Sequence, residues 1–477
     1  MKFFMLLCSF CIFASFSKAQ TFNGTWEGRL QIASSLRIAF IFSSNPDGSL
    51  KASWQSPDQT KAILPTDTCY IKADSIFTFS KKFRIAFRGK LVGDSTINGV
   101  FTQGADLGLV LKKVEKVSEL KRPQTPKPPY PYISKSVYFN NADKSIRYAG
   151  TITYPKMDSG KNYFREPVYP SIILISGSGP QDRDETLFAH KPFAVLADFM
   201  TRKGFAVLRV DDRGIGETTG KFATATSADF ANDVEAAIIY LKQQPQTDTA
   251  HISLIGHSEG GMIAPLVATR RNDIHSIVLL AGPGIPIINL MEEQIQAVAF
   301  SAKSDSAETL AGKELFTISA GELLKYTDSN KIKINAFKAI EKWAKSKDEK
   351  LLVTMGMRTK EQREAAITVQ LRAMNNEWYR YFLGFDPQQY LKKLKCNVLA
   401  LNGGNDIQVL PTSNLAGIRY SLKKSKSPYY EVKELLGLNH LFQTCKTCTV
   451  GEYAELEESF SPVALEIIGN WLMQYGR

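Results

Sequence analysis

The segment Gly256-His257-Ser258-Glu259-Gly260 lies between the apolar run Ile252–Ile255 and a stretch with helical patterning. A serine flanked by glycines at this spacing, on a sharp strand-to-helix turn, has its hydroxyl presented at the carboxyl edge of a sheet. The glycines are needed because side chains beside the serine would fill the space that the turn requires. The helix that follows adds oriented N–H groups, which favour developing negative charge. A serine hydroxyl is a weak nucleophile until a base takes its proton, and the chain has five histidines. His251 and His275 begin strands, at the opposite edge of a parallel sheet from Ser258. His257 lies inside the turn, and His190 precedes a helix. His440, in Gly437-Leu438-Asn439-His440-Leu441-Phe442, follows the last strand and can reach the serine, which makes it the candidate base.

Such a base needs a carboxylate to hold its tautomer and to stabilise the imidazolium. Between Ser258 and His440 the aspartates are Asp273, Asp305, Asp328, Asp348, Asp386 and Asp406. Only Asp406 comes just after a buried strand, where Gly403 and Gly404 permit a tight turn at the sheet edge. The other five sit in a helical stretch or beside helix ends, where carboxylates cap helices or face water. Attack on a carbonyl also creates an oxyanion that needs two N–H donors. Glu259 N–H is expected to be one. The other is expected from Ser176-Gly177-Ser178-Gly179-Pro180, which follows the strand Ser171–Ile175, with Ser178 N–H first and Gly177 in reserve. No Gly-Lys-Ser/Thr follows that loop, which sets aside a phosphate cradle.

The elements that position these residues change character along the chain. Residues 20–115 alternate with period two: Leu36, Ile38, Phe40 and Phe42, and again Phe83, Ile85 and Phe87. This reads as a small antiparallel β module. Five prolines between Pro123 and Pro131 mark a linker. From about Ser134, buried strands alternate with helices, as expected of a mostly parallel sheet covered on both faces. The stretch from about 285 to 392 is too long for a loop and has helical patterning with Trp343, Trp378, Tyr379, Tyr381 and Phe382, so an inserted helical cap is expected. The expected organisation is therefore a signal peptide at 1–19, the β module at 20–115, the linker at 116–133 and a catalytic domain at 134–477.

Met1–Lys2 followed by an apolar run to Phe16, and then Ser17-Lys18-Ala19, has the pattern of a cleavable export signal with cleavage after Ala19. A secreted or periplasmic location is expected, and no later run is long enough to span a membrane. Cys445-Lys446-Thr447-Cys448 reads as a structural pair, since neither the strand–helix context of a redox motif nor a second pair of zinc ligands is visible. The net charge of +12 comes from 59 basic and 47 acidic residues interleaved along the chain, so no basic element for nucleic acid stands out.

Ser176–Glu185 (SGSGPQDRDE), Val210–Glu217 (VDDRGIGE), GHSEG, Leu399–Asp406 and Leu438–Gln443 (LNHLFQ) together resemble α/β-hydrolases. The resemblance is to the serine aminopeptidase and prolyl-oligopeptidase-like branches, and to secreted bacterial esterases of the EstD type. It covers about Ser134–Arg477 and departs where Ser176-Gly177 replaces the usual His-Gly. It implies an α/β-hydrolase fold with a helical cap, and catalysis by Ser258, His440 and Asp406 with Ser178 and Glu259 amides holding the oxyanion. The expected reaction is hydrolysis of small carboxylic esters, with short acyl groups, through an acyl-enzyme, without a metal or other cofactor. A serine aminopeptidase using Glu292 and Glu293 for a substrate ammonium is the nearest alternative. An envelope- or carbohydrate-binding protein acting through the β module is another.

Overall fold

The computed structural model describes residues 22–31, 35–59, 62–156 and 167–477. The segment read as an export signal lies outside them. The chain divides into two compact units, Met1–Lys121 and Arg122–Arg477.

The first unit is a nine-stranded antiparallel sheet: β1 (Gly24–Gln31), β2 (Ser35–Ser44), β3 (Leu50–Gln55), β4 (Leu64–Pro65), β5 (Thr68–Lys72), β6 (Ser75–Ser80), β7 (Ile85–Val92), β8 (Thr96–Thr102) and β9 (Asp106–Val114). The order is β4-β3-β2-β1-β9-β8-β7-β6-β5, so the first and last strands pair in the middle. The alternating residues Ile38, Phe40 and Phe42 join Trp26, Ile85 and Phe87 in one core, because period two puts them on one face. Phe83 is in the turn before β7 rather than in the strand, and Arg84 there has a positive φ of 52°. Arg37 points to the other face and is buried; its guanidinium and backbone N–H both bond Asp58, each at 2.8 Å, which offsets the cost of burying the charge.

In the second unit, residues 122–131 carry no regular element, and Arg122 donates to the carbonyls of Phe188, Ala454 and Leu456. The eight-stranded sheet comprises β10 (Tyr132–Asn140), β11 (Arg147–Pro155), β12 (Tyr169–Ile175), β13 (Ala206–Val210), β14 (Thr247–His257), β15 (Ser276–Leu280), β16 (Asn397–Gly403) and β17 (Tyr430–Leu435). Its order is β10-β11-β13-β12-β14-β15-β16-β17. The pairings β10–β11 and β11–β13 are antiparallel, and every later neighbour is parallel. The central strands are apolar throughout because both faces are covered. Ile172 and Leu174 face α1 (Pro192–Arg202) and α12 (Pro462–Tyr475), packing in one core with Leu196, Met200, Ile468 and Leu472. Ile173 and Ile175 face the other way, into a core with residues of α2 (Ser227–Lys242) and α3 (Gly260–Arg270), among them Val234, Ile238, Met262 and Leu266.

Between β15 and β16 run α4 (Ile287–Ser301), α5 (Ser306–Lys325), α6 (Ser329–Ala344), α7 (Glu349–Thr354), α8 (Lys360–Met374), α9 (Glu377–Leu383) and α10 (Gln388–Leu391). The starts of α5 to α9 are capped by the side chains of Asp305, Asp328, Asp348, Thr359 and Asn376. Three of the aspartates between Ser258 and His440 are thus committed to helix ends. The last crossover helix is α11 (Pro411–Leu422). Among the described residues, no helix is long and apolar enough to cross a membrane.

Candidate active site

β14 ends at His257 and α3 begins at Gly260, so the whole reversal falls on Ser258 and Glu259. Ser258 has a φ of +53°, a left-handed conformation that a non-glycine residue adopts at a cost. Its N–H donates to Leu280 O at 2.8 Å, which anchors the turn to β15. A Cβ at Gly256 would lie 2.0 Å from Gly260 O, and one at Gly260 would lie 2.1 Å from Ile175 O. Both contacts are with backbone that cannot step aside, which is why the turn demands these two glycines.

Asp406 and His440 sit on the loops after β16 and β17, at the same edge of the sheet as Ser258. Asp406 is buried, and its Oδ1 accepts the N–H groups of Gln408 at 2.8 Å and Val409 at 2.9 Å. Its Oδ2 lies 2.8 Å from His440 Nδ1. Nδ1 therefore carries the proton, and Nε2 is left with a lone pair. His440 and Ser258 line one cavity of about 1100 Å³, measured with its open mouth, together with Ser178 and Glu259. Among the described residues the Ser258 hydroxyl makes no hydrogen bond. Contacts between nucleophile and base are often long before substrate binds.

The two candidate donors of the Ser176–Pro180 loop differ. Gly177 N–H donates to Glu185 Oε1 at 2.7 Å, which removes it as a donor into the cavity. Ser178 N–H and Glu259 N–H have no acceptor among the described residues, and both belong to the cavity wall. The Ser176–Glu185 loop is held by its neighbour after β13. Asp212 accepts from Ser176 Oγ at 2.8 Å and Gln181 N–H at 2.9 Å, and Arg183 grips Asp211 through Nε and Nη2. Burial pushes the Asp212 carboxyl up to about 7.

Several functional-looking contacts were not readable from the sequence. Glu259 is buried, and its side chain accepts from Ser227 Oγ at 2.6 Å and Trp378 Nε1 at 3.0 Å. Burial raises its pKa, and the neighbouring Ser227, Trp378 and Ser178 donors oppose the rise. Trp378 comes from α9, so one carboxylate ties the helical insertion to the serine turn. His257 Nδ1 lies 2.9 Å from Glu185 Oε1, and its Nε2 lies 3.0 Å from His440 O. Glu185 was visible only as the end of a motif, with nothing to say which ring it meets. His190 is buried against Ser459 Oγ at 2.8 Å and Tyr453 O at 3.0 Å, and burial lowers its pKa to about 4. His251 and His275 pack edge to face near the opposite end of the sheet. Glu292 and Glu293 accept from Thr317 and Ser413, and neither lines the cavity.

Cys445 and Cys448 form a disulfide, and Glu452 beside them accepts the N–H groups of Lys446, Thr447 and Cys448.

The family described as serine aminopeptidase, S33 (Hydrolase_4) matches residues 190–373. Esterase EstD of Thermotoga maritima is 29% identical over 237 residues, covering 49% of this chain; the chain spans about half (51%) of that curated relative's length. Among solved structures, the esterase Pf2001 of Pyrococcus furiosus aligns at 14% identity and a TM-score of 0.42, over 72% of this chain and 94% of that one. Hypothetical protein PA2218 of Pseudomonas aeruginosa aligns at 15% and 0.42, over 76% and 98%. The fold is carried by the sheet order, the serine on a strained strand-to-helix turn and the order Ser258, Asp406, His440 along the chain. With the family match over residues 190–373, they give the second unit an α/β-hydrolase fold and a similarity to Esterase EstD.

Proposed function

We propose that the second unit is a serine hydrolase that cleaves carboxylic esters through an acyl-enzyme. The observation that carries this reading is the buried Asp406–His440 hydrogen bond facing the cavity that also holds Ser258 and two unengaged N–H groups. Ser258 Oγ attacks the ester carbonyl while His440 Nε2 takes its proton. The oxyanion settles on the Ser178 and Glu259 amides, a contribution of about 10²–10³ in rate for each donor. The proton then passes from His440 to the leaving alcohol. Water, activated by the same ring, releases the acid and restores Ser258. Asp406 holds the ring throughout.

The helical insertion serves as the cap. Leu290, Met291, Trp378, Tyr379 and Phe382 bring apolar and aromatic surface to the cavity, and the Trp378 and Phe382 rings stack at 4.9 Å. An uncharged substrate with a short acyl group suits these walls. Both acidic groups that line the cavity are already engaged, Glu185 by His257 and Glu259 by Ser227 and Trp378. That favours esters over substrates with a free ammonium, for which Glu292 and Glu293 are also badly placed. Export is part of the proposal, supported by the residues at 1–19 and by the Cys445–Cys448 disulfide, which suits an oxidising compartment.

The test is a panel of p-nitrophenyl esters of increasing acyl length beside an aminoacyl p-nitroanilide, with Ser258→Ala as control. Faster amide turnover would overturn the ester assignment, and unchanged turnover in Ser258→Ala would overturn the serine mechanism. Mass analysis of the exported protein should find Gln20 at its amino terminus.

A further inference from the structure

His257 occupies the variable position of the serine turn, and its two ring nitrogens face two acceptors. Nε2 lies 3.0 Å from His440 O, a carbonyl that can only accept, so Nε2 carries a proton. Nδ1 lies 2.9 Å from Glu185 Oε1, an oxygen that also takes the Gly177 N–H at 2.7 Å. An ionised Glu185 oxygen can accept from both the backbone amide and the ring, which places the second proton on Nδ1. Both side chains are buried. The pair joins three pieces of the site: the loop after β12 that carries Ser178, the serine turn itself and the loop that carries His440.

We infer that Glu185 and His257 form a buried carboxylate–imidazolium pair that positions the proposed catalytic groups without touching substrate. Glu185 occupies Gly177 N–H and so leaves Ser178 N–H as the donor directed to the cavity. His257 holds the backbone of His440 while Asp406 holds its ring, so the base is fixed from both ends. The inference rests on the serine-hydrolase reading of the same site.

The electrostatic surroundings agree. Burial by itself lowers the pKa of His257, but the Glu185 charge, the two hydrogen bonds and the more distant Asp406 charge outweigh it and raise the value. His440 also packs against the ring, with centroids 4.9 Å apart, and Phe442 closes a further side. Beyond its folded pKa, His257 keeps Nε2–H and turns a bare Nδ1 toward Glu185, so the tie to Glu185 is lost on the alkaline side.

Glu185→Gln keeps the shape and an acceptor for Gly177 but removes the charge that holds the second proton. On p-nitrophenyl acetate, kcat should fall on the order of 10- to 100-fold, as expected when reacting groups drift by a fraction of an ångström to an ångström. KM should stay nearly unchanged, and the alkaline limb of kcat should move to lower pH. In the unaltered protein, selective histidine ¹⁵N spectra, assigned with His257→Gln, should show both His257 nitrogens protonated near neutral pH. A neutral ring in those spectra overturns the inference, and so does a Glu185→Gln enzyme with unaltered kcat and alkaline limb. Labelling of Ser258 by a fluorophosphonate separates the two claims. If the native protein is not labelled, the hydrolase reading fails, and the ring spectrum still decides the ion pair.

Discussion

Asp406 Oδ2 and His440 Nδ1 are 2.8 Å apart although 34 residues separate them in the chain. The other carboxylate oxygen, Oδ1, is occupied by two backbone N–H groups, so the aspartate cannot rotate away from the ring. Asp406→Asn keeps the volume but offers an amide that can point its NH₂ at Nδ1, which places the ring proton on Nε2, the wrong nitrogen. We expect kcat to fall about 10³- to 10⁴-fold with KM little changed. Initial rates on p-nitrophenyl acetate, with thermal unfolding as the folding control, check this.

The turn glycines are expected to be less tolerant than any catalytic residue. Gly260→Ala would put a methyl group 2.1 Å from Ile175 O, with no flexible side chain to yield. The loss should exceed about 3 kcal/mol, in the range that steric overlap in a packed core produces. Gly437→Ala is the comparison: nothing lies within 4 Å there, and only its φ of 78° is strained. Denaturant unfolding of both should rank Gly260→Ala far below Gly437→Ala.

Two buried groups should give the stability curve opposing slopes. His190 has its pKa lowered from an ordinary 6.5 to about 4, so the unfolded chain binds more protons between those values and stability is lost as pH falls through them. Asp212 has its pKa raised from an ordinary 3.8 to about 7, so the folded chain binds more protons there and stability is lost as pH rises from 4 to 7. Asp212→Asn should therefore flatten the decline toward neutral pH and expose the acid-side loss due to His190. Unfolding midpoints measured from pH 4 to 8 would contradict this if the variant ran parallel to the native protein.

Trp378 sets one wall of the cavity and bonds Glu259 at 3.0 Å. Trp378→Ala removes that wall, and the preference for long over short acyl esters should rise by roughly tenfold or more, the scale of a few methylenes in an apolar pocket. Ratios of kcat/KM for octanoate and acetate esters measure it. Trp378→Phe, which keeps the aromatic wall and loses only the N–H, should change the ratio much less.

The elements that carry the proposed site were legible because their signals are local. The GHSEG turn needs its glycines wherever it occurs, and buried strands such as Ile252–Ile255 announce themselves by unbroken apolar runs. Strand ends then locate Asp406 and His440, since a parallel sheet collects the loops after its strands at one edge. Asp305, Asp328 and Asp348 were readable only as helix caps or solvated charges, and the structure makes them caps. Phe83 misled, because period two continued past the point where a left-handed Arg84 turns the chain.

What sequence alone determined is the chemistry available: a serine on a strained turn, one well-placed histidine and one well-placed aspartate. Only the tertiary structure decided which donors are free and which groups are spent. Sequence put Ser178 ahead of Gly177 without a contact to decide between them, and a carboxylate eight residues downstream of Gly177 takes its N–H and leaves that of Ser178. Glu259 meets Trp378 across 119 residues, and His257 meets His440 across 183. Those pairings have no periodicity or spacing rule behind them. They exist because the sheet edge gathers loops that are distant in the chain, and because a buried polar atom must find whichever partner the packing brings within reach.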